Sequence, residues 1–126
     1  MNRPRLAIAD DSALIRRAIE MTLNSEFEIV ASVEDGEAAV TAAATLSPEL
    51  ILLDISMPGL NGLEAARRIK AVCPAILLIF LSNYDDKSYI QAAFDAGGSG
   101  YVSKGRMVSE LLPAIRDVLI GKEYRR

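Results

Sequence analysis

Histidine is missing from all 126 residues, and that one absence removes several chemistries. Without an imidazole the chain has no Ser–His–Asp triad, no imidazole general base, no His-ligated metal and no phosphohistidine of its own. Cysteine occurs once, at Cys73, which excludes an internal disulfide and a cysteine-rich zinc site. It reads as a small buried hydrophobe in a reducing compartment. Long hydrophobic runs are lacking too. Ala75–Leu81, the longest, has seven residues, whereas a membrane span needs roughly 20. Arg3 and Arg5 precede only Leu6–Ala9 before Asp10 and Asp11 intervene, so neither a signal peptide nor a membrane partner is expected, and the expected location is cytoplasmic. Nor is there an excess of positive charge. Fourteen basic residues face 17 acidic ones, a net of −3, so nucleic-acid binding by this chain is not expected.

What is present is enough apolar material, 51% of the chain, to fill one ordinary core. Five short runs rich in Leu, Ile and Val stand out: Arg5–Ala9, Phe27–Ser32, Leu50–Asp54, Ile76–Leu81 and Gly100–Ser103. They recur at steps of 22, 23, 26 and 24 residues, room each time for a strand, two loops and a helix. Their continuity predicts strands buried on both faces. The segments between them have helical period. Leu14, Ala18 and Met21 predict the core stripe of the first helix, with Ile15, Ile19 and Thr22 beside it. Asp35 can cap the second helix, which ends at Ser47-Pro48. Leu63, Ala66 and Ile69 mark the third, and Ile90, Ala93 and Phe94 the fourth, ended by Gly97-Gly98. Leu111, Ile115, Val118 and Leu119 mark the fifth, closed by Gly121. Pro113 falls inside that last pattern, which predicts a helix that begins late or bends. The class is α/β, a parallel sheet covered on both faces.

Ligands of such sheets bind outside the carboxyl ends of the strands. Those ends carry Asp10 and Asp11, Asp54, Ser82 and Lys104. Two carboxylates ~4 Å apart repel by about 4 kcal/mol at an effective dielectric of about 20, so the cluster calls for a cation. Oxygen-only ligands point to Mg²⁺ or a similar hard ion such as Mn²⁺. Each residue alone has a duller reading. Asp10 or Asp11 could cap a helix, Asp54 could hold the Met57–Gly59 turn, Lys104 could be solvated, and Tyr101 could simply pack. Their common place at one edge of one sheet favours a metal-plus-phosphate site.

Taken in order, Asp10-Asp11-Ser12, Leu52-Leu53-Asp54-Ile55-Ser56-Met57-Pro58-Gly59 with Asn61-Gly62, Leu81-Ser82 and Gly100-Tyr101-Val102-Ser103-Lys104 resemble the receiver domain of bacterial two-component response regulators. The resemblance runs from about Arg5 to Gly121. It implies a flavodoxin-like (βα)5 doubly wound sheet of strand order 2-1-3-4-5. It also implies a phosphorylation switch rather than a conventional enzyme. Asp54 would take a phosphoryl group from a phosphohistidine on a sensor histidine kinase or phosphotransfer protein. The chain would assist that transfer and slowly dephosphorylate itself. Mg²⁺ (or Mn²⁺) would be held by Asp11, Asp54 and the backbone carbonyl of Ser56, with Asp10 nearby. Lys104 and the Ser82 hydroxyl would meet the phosphoryl oxygens, and Tyr101 would turn inward as the face of helix 4 and strand 5 rearranges. Two positions depart from the family pattern. Asn83 stands where a small residue is usual and would narrow access to Asp54, and Gly105 follows the lysine where proline in a cis peptide is usual. Before a non-proline residue a cis bond costs roughly 2.5–4 kcal/mol, so Lys104–Gly105 is expected to be trans.

Leu111-Leu112-Pro113-Ala114-Ile115-Arg116, followed by Gly121 and Tyr124, is similar to receivers that precede a LuxR/NarL-type helix-turn-helix domain. The resemblance therefore implies a receiver over residues 1–121, the start of a linker or tail over 122–126, and a DNA-binding output domain absent from this chain. A homodimer through helices 1 and 5 is expected from the same likeness, with Ile15 and Ile19 on one helix and Leu112, Ile115 and Leu119 on the other widening the apolar bands. A stand-alone receiver acting through protein contact is the alternative. An aspartyl-phosphate phosphohydrolase is more remote, because Ser56 stands where that chemistry needs a second Asp. A flavodoxin-like electron carrier is weaker still, since the acid pair would repel a flavin phosphate.

Overall fold

Every apolar run of the sequence becomes a strand and every periodic segment a helix. The computed structural model describes residues 3–125. In chain order the elements are β1 (Arg5–Ala9), α1 (Ala13–Leu23), β2 (Glu28–Val33), α2 (Gly36–Leu46), β3 (Leu50–Asp54), α3 (Gly62–Val72), β4 (Leu77–Ser82), α4 (Lys87–Asp95), β5 (Gly100–Ser103), a 3₁₀ turn (Lys104–Arg106) and α5 (Met107–Leu119). All five strands pair in parallel, in the order β2-β1-β3-β4-β5. Two strands start one residue later than their apolar runs. Phe27 N–H still bonds back to Leu23 O at the end of α1, and Ile76 N–H bonds to Cys73 O in the preceding turn.

Alternation along the strands divides the core in two. Leu6, Ile8, Leu50, Leu52, Ile79, Leu81 and Val102 face α1 and α5, where they meet Ile19, Leu23, Leu111, Ile115 and Val118. Ala7, Ala9, Ile51, Leu53, Leu78, Phe80 and Tyr101 face the other helices, whose Ala39, Ala43, Ala65, Ala66 and Ala93 allow close approach. Full burial of each large aliphatic side chain stabilises the fold by about 1.5–3 kcal/mol. Central β3 is buried along its whole length, which is why its run is unbroken.

Three sequence expectations are corrected. The stripe of Leu14, Ala18 and Met21 does not face the core: Leu14 is 78% and Met21 77% exposed. Ile19 and Leu23 are buried instead, with Ile15 packed against the same cluster. The two stripes lie side by side on one helix, and the bulkier one turns inward because it removes more apolar area from water. The band expected to widen the outer faces of α1 and α5 is core as well. Ile19 and Ile115 are buried, and Ile15, Leu112 and Leu119 pack against them. Finally, α5 does not begin late. It runs from Met107 through an exposed Pro113, anchored by buried Leu111, Ala114, Ile115 and Val118.

After α5 the chain turns at Gly121, whose φ of 90° suits a residue without Cβ. Residues 122–125 return to the sheet, where Tyr124 forms a parallel bridge to Gly100. Arg126 lies outside the described residues. Among the described residues no helix is long and apolar enough to cross a membrane, and no peptide bond is cis, so Lys104–Gly105 is trans.

Candidate functional site

The buried polar or charged side chains among the described residues are Asp10, Asp54 and Ser82, and all three sit at the carboxyl end of the sheet. Asp10 follows β1 and is fully buried. Its N–H continues the strand ladder to Val33 O at 3.0 Å. Its Oδ1 accepts from Ser12 N–H at 2.9 Å, and its carbonyl accepts from Arg16 Nη1 at 2.6 Å. Ser12, not either aspartate, caps α1, accepting from Ile15 N–H at 3.2 Å. Asp11 is exposed beside them. Asp54 closes β3 at 3% exposure, and its Oδ1 accepts from Ser56 N–H at 3.2 Å.

Lys104 spans the two buried acids. Its Nζ lies 2.8 Å from Asp10 Oδ2 and 3.2 Å from Asp54 Oδ2. Apart from this ion pair the buried Asp10 Oδ2 has no polar partner. Burial, and next the Asp10 charge, push the Asp54 carboxyl up to about 6 from 3.8, against the lowering influence of Lys104. For Lys104, burial pulls the ammonium pKa down, but the two carboxylates more than reverse this and the net shift is upward. The lysine stays charged.

One carboxylate oxygen each from Asp10, Asp11 and Asp54 lies within 4.8 Å of the others. An oxygen-only set carrying three negative charges, one buried oxygen of which is met by Lys104 alone, fits a hard divalent cation.

Glycine shapes the floor. The start of α3 presses on the backbone of Asp54, so a Cβ at Gly62 would stand 2.1 Å from Asp54 O. Gly62 N–H bonds to Ile55 O at 2.8 Å, and Asn61 caps the helix through Glu64 N–H at 3.0 Å. Ser82 ends β4, and its Oγ accepts from Tyr84 N–H at 3.0 Å. Tyr101 is buried under α4, and its hydroxyl donates to the Tyr84 carbonyl. Burial raises the phenol pKa, against the lowering influence of the Ser82 hydroxyl. Asn83 is exposed at the rim, as is Ser56.

Asp10, Asp11, Asp54, Ser82, Lys104 and Tyr101, all singled out from the sequence, thus gather at one end of one sheet. Tyr84 was missed. Its amide binds Ser82, its carbonyl binds Tyr101, and its ring stacks on Tyr89 of α4 with centroids 4.6 Å apart. Backbone groups carry two of those three contacts, and a sequence gives no sign of them.

Comparison with known proteins fits this geometry. The family model "Response regulator receiver domain" matches residues 6–116. The transcriptional regulatory protein DegU of Brevibacillus brevis is 37% identical over 98% of this chain and 53% of its own length. The oxygen regulatory protein NreC of Staphylococcus aureus is 35% identical over 95% of the chain and 57% of its own. The chain therefore spans about half the length of the curated relatives it matches. Among solved structures, a LuxR-family two-component response regulator from Aurantimonas sp. SI85-9A1 superposes with a TM-score of 0.93 at 26% identity, covering 98% of this chain and 89% of that one. The isolated REC domain of RcsB from Salmonella enterica serovar Typhimurium, in the presence of the phosphomimetic BeF3−, gives 0.90 at 25% identity, covering 99% and 94%. With a flavodoxin-like sheet of order 2-1-3-4-5 and a family match over most of its length, the chain belongs to the response regulator receiver domains, which are signalling proteins of two-component systems.

Proposed function

We propose that this receiver is a phosphorylation switch in which Asp54 accepts a phosphoryl group from a phosphohistidine on a separate sensor kinase or phosphotransfer protein. The observation that carries the reading is that, among the described residues, the buried polar or charged side chains are Asp10, Asp54 and Ser82, with one lysine paired to both acids. In the transfer an Asp54 oxygen forms a bond to phosphorus as the phosphorus–nitrogen bond of the donor breaks. Asp11, Asp54 and the Ser56 carbonyl, with Asp10 beside them, would hold Mg²⁺ or Mn²⁺, which would supply positive charge against the phosphoryl oxygens. Lys104 adds a second positive charge and exchanges its contact with Asp54 for one with the phosphoryl group. Ser82, whose Oγ accepts from Tyr84 N–H, can turn its hydroxyl proton from the Tyr101 phenol toward that group. Asn83, exposed at the rim, limits the approach of donor and water, and so sets transfer and slow self-hydrolysis.

Incubation with a small phosphodonor and Mg²⁺ tests the reading. One phosphoryl group per chain is expected by intact mass, and none on Asp54→Asn; undiminished labelling of the variant refutes the assignment. In Mg²⁺ titrations Asp11→Ala should weaken binding strongly and Asp10→Ala less, while Lys104→Ala should not weaken it.

Residues 1–121 form the receiver in this reading, and residues 122–126 begin the connection to an output domain. The relatives named as transcriptional regulators favour a DNA-binding output, acting in the cytoplasm, over a stand-alone receiver. A homodimer through α1 and α5 remains part of the proposal, resting on exposed Leu14, Met21 and Val108 rather than on the buried band. Sedimentation with and without beryllofluoride tests it, and a monomer under both conditions rejects it.

A further inference from the structure

The segment after α5 does more than leave the domain. In the strand order β5 is an edge, and an edge strand presents unpaired backbone groups. Here part of that edge is covered from within. Tyr101 N–H donates to Tyr124 O at 2.9 Å, and Tyr124 N–H donates to Ser99 O at 2.9 Å. Tyr124 is 4% exposed and packs with the α1–α5 side of the core. The next residue is held on the opposite side of the sheet, where the Arg125 guanidinium carbon lies 3.7 Å from the ring centroid of Phe94 in α4. Two consecutive residues therefore wrap the sheet edge and join α5, β5 and α4.

Those contacts continue a chain of hydrogen bonds that starts at the candidate site. Ser82 Oγ accepts from Tyr84 N–H, the Tyr84 carbonyl accepts from the Tyr101 hydroxyl, and Tyr101 N–H donates to Tyr124 O. The inward placement of the Tyr101 ring and the docking of residues 124–125 occur together in this structure.

We propose that residues 122–125 are a strap that positions Tyr101 and α4, and that filling the Asp54 site tightens it. Tyr124 and Arg125 are positioning residues, remote from the reacting atoms. The proposal rests on Asp54 being the phosphoacceptor. The two-state element is the Tyr101 ring with its edge of β5. A phosphoryl group on Asp54, hydrogen-bonded by Ser82, fixes the loop that carries Tyr84, which favours the inward ring and with it the docked strap. By linkage, the strap in turn favours the filled site by the same factor. Residues 124–125 are therefore held firmly or loosely against β5 and α4 according to phosphorylation.

Amide exchange read by NMR on the 126-residue chain, with and without Mg²⁺ and beryllofluoride, tests this. Ser56 N–H, bonded to Asp54, reports whether the site is filled. The expected result is slowing at Ser56 together with slowing of the Tyr101 and Tyr124 amides by at least about fivefold, the lower end of typical couplings. Arg125→Ala should abolish most of the Tyr124 response, and Arg125→Lys, which keeps a cation over Phe94, should preserve it. Slowing at Ser56 with Tyr124 unchanged overturns the strap and leaves the phosphoacceptor reading standing. No change at Ser56 overturns the phosphoacceptor reading, and the coupled strap falls with it.

Discussion

The two ends of the parallel sheet are built from the same five strands and treat charge in opposite ways. At the amino end, charged groups stay at or near the surface and satisfy the backbone. Arg5 N–H donates to Glu49 Oε2 at 3.0 Å, Arg5 Nη1 reaches Ser47 O at 3.2 Å, and Lys70 Nζ reaches the carbonyls of Pro74 and Ile76 at 2.8 and 3.0 Å. At the carboxyl end two carboxylates are buried together, and a single lysine faces both. Stability alone would favour the first arrangement everywhere, since burying like charges is costly even when a counter-charge is present. The carboxyl end is where the fold gives up stability, and the upward shift of Asp54 to about 6 gives the sign of that sacrifice.

That contrast can be broken in graded steps. Leu52→Ala, at a fully buried position of β3, should cost about 2–5 kcal/mol in chemical denaturation. The folded protein should still accept phosphate. Lys104→Met should cost a comparable amount, about 3–5 kcal/mol in metal-free buffer, because it leaves Asp10 and Asp54 without their counter-charge. Added Mg²⁺ should restore more stability to this variant than to the native chain.

Asp54→Asn should act in the opposite direction. The folded protein binds the Asp54 proton more tightly than the unfolded chain does, so ionisation above pH 6 costs stability. A shift from 3.8 to about 6 corresponds to on the order of 2–3 kcal/mol. In metal-free melts the native chain should therefore gain stability as pH falls from 7 toward 4 through this group, and the variant should lack that gain. A variant less stable than the native chain at pH 8 would show that the buried charge is not a net cost. Glu49→Gln, at the amino end, should change stability by less than about 0.5 kcal/mol and leave phosphate acceptance untouched.

Much of this was legible before any coordinates. Continuous runs such as Leu50–Asp54 fixed the class because strands buried on both faces need no polar alternation. Asp10, Asp54 and Lys104 were legible because strand ends are where polar residues interrupt apolar runs. The side of α1 that faces the core was not. Leu14–Ala18–Met21 and Ile15–Ile19–Leu23 share one period, and only packing against Leu6 and Ile8 chooses between them. Pro113 does not delay the start of α5, since burial of Leu111, Ala114 and Ile115 outweighs the hydrogen bond that proline cannot make. Tyr84 was invisible because main-chain atoms make two of its contacts, and the 124–125 strap because its backbone pairing with β5 and the Arg125–Phe94 contact join residues far apart in the sequence.

The central claim is that a phosphoryl group becomes an acyl phosphate on Asp54. Borohydride reduces an aspartyl phosphate to homoserine and leaves free carboxylates and phosphate esters of serine or tyrosine alone. Phosphorylation with a small phosphodonor and Mg²⁺, followed by borohydride and peptide mapping by mass spectrometry, is predicted to place homoserine at position 54 and nowhere else. Homoserine at position 10 or 11, or a stable phosphate on Ser82 with Asp54 intact, would contradict the account.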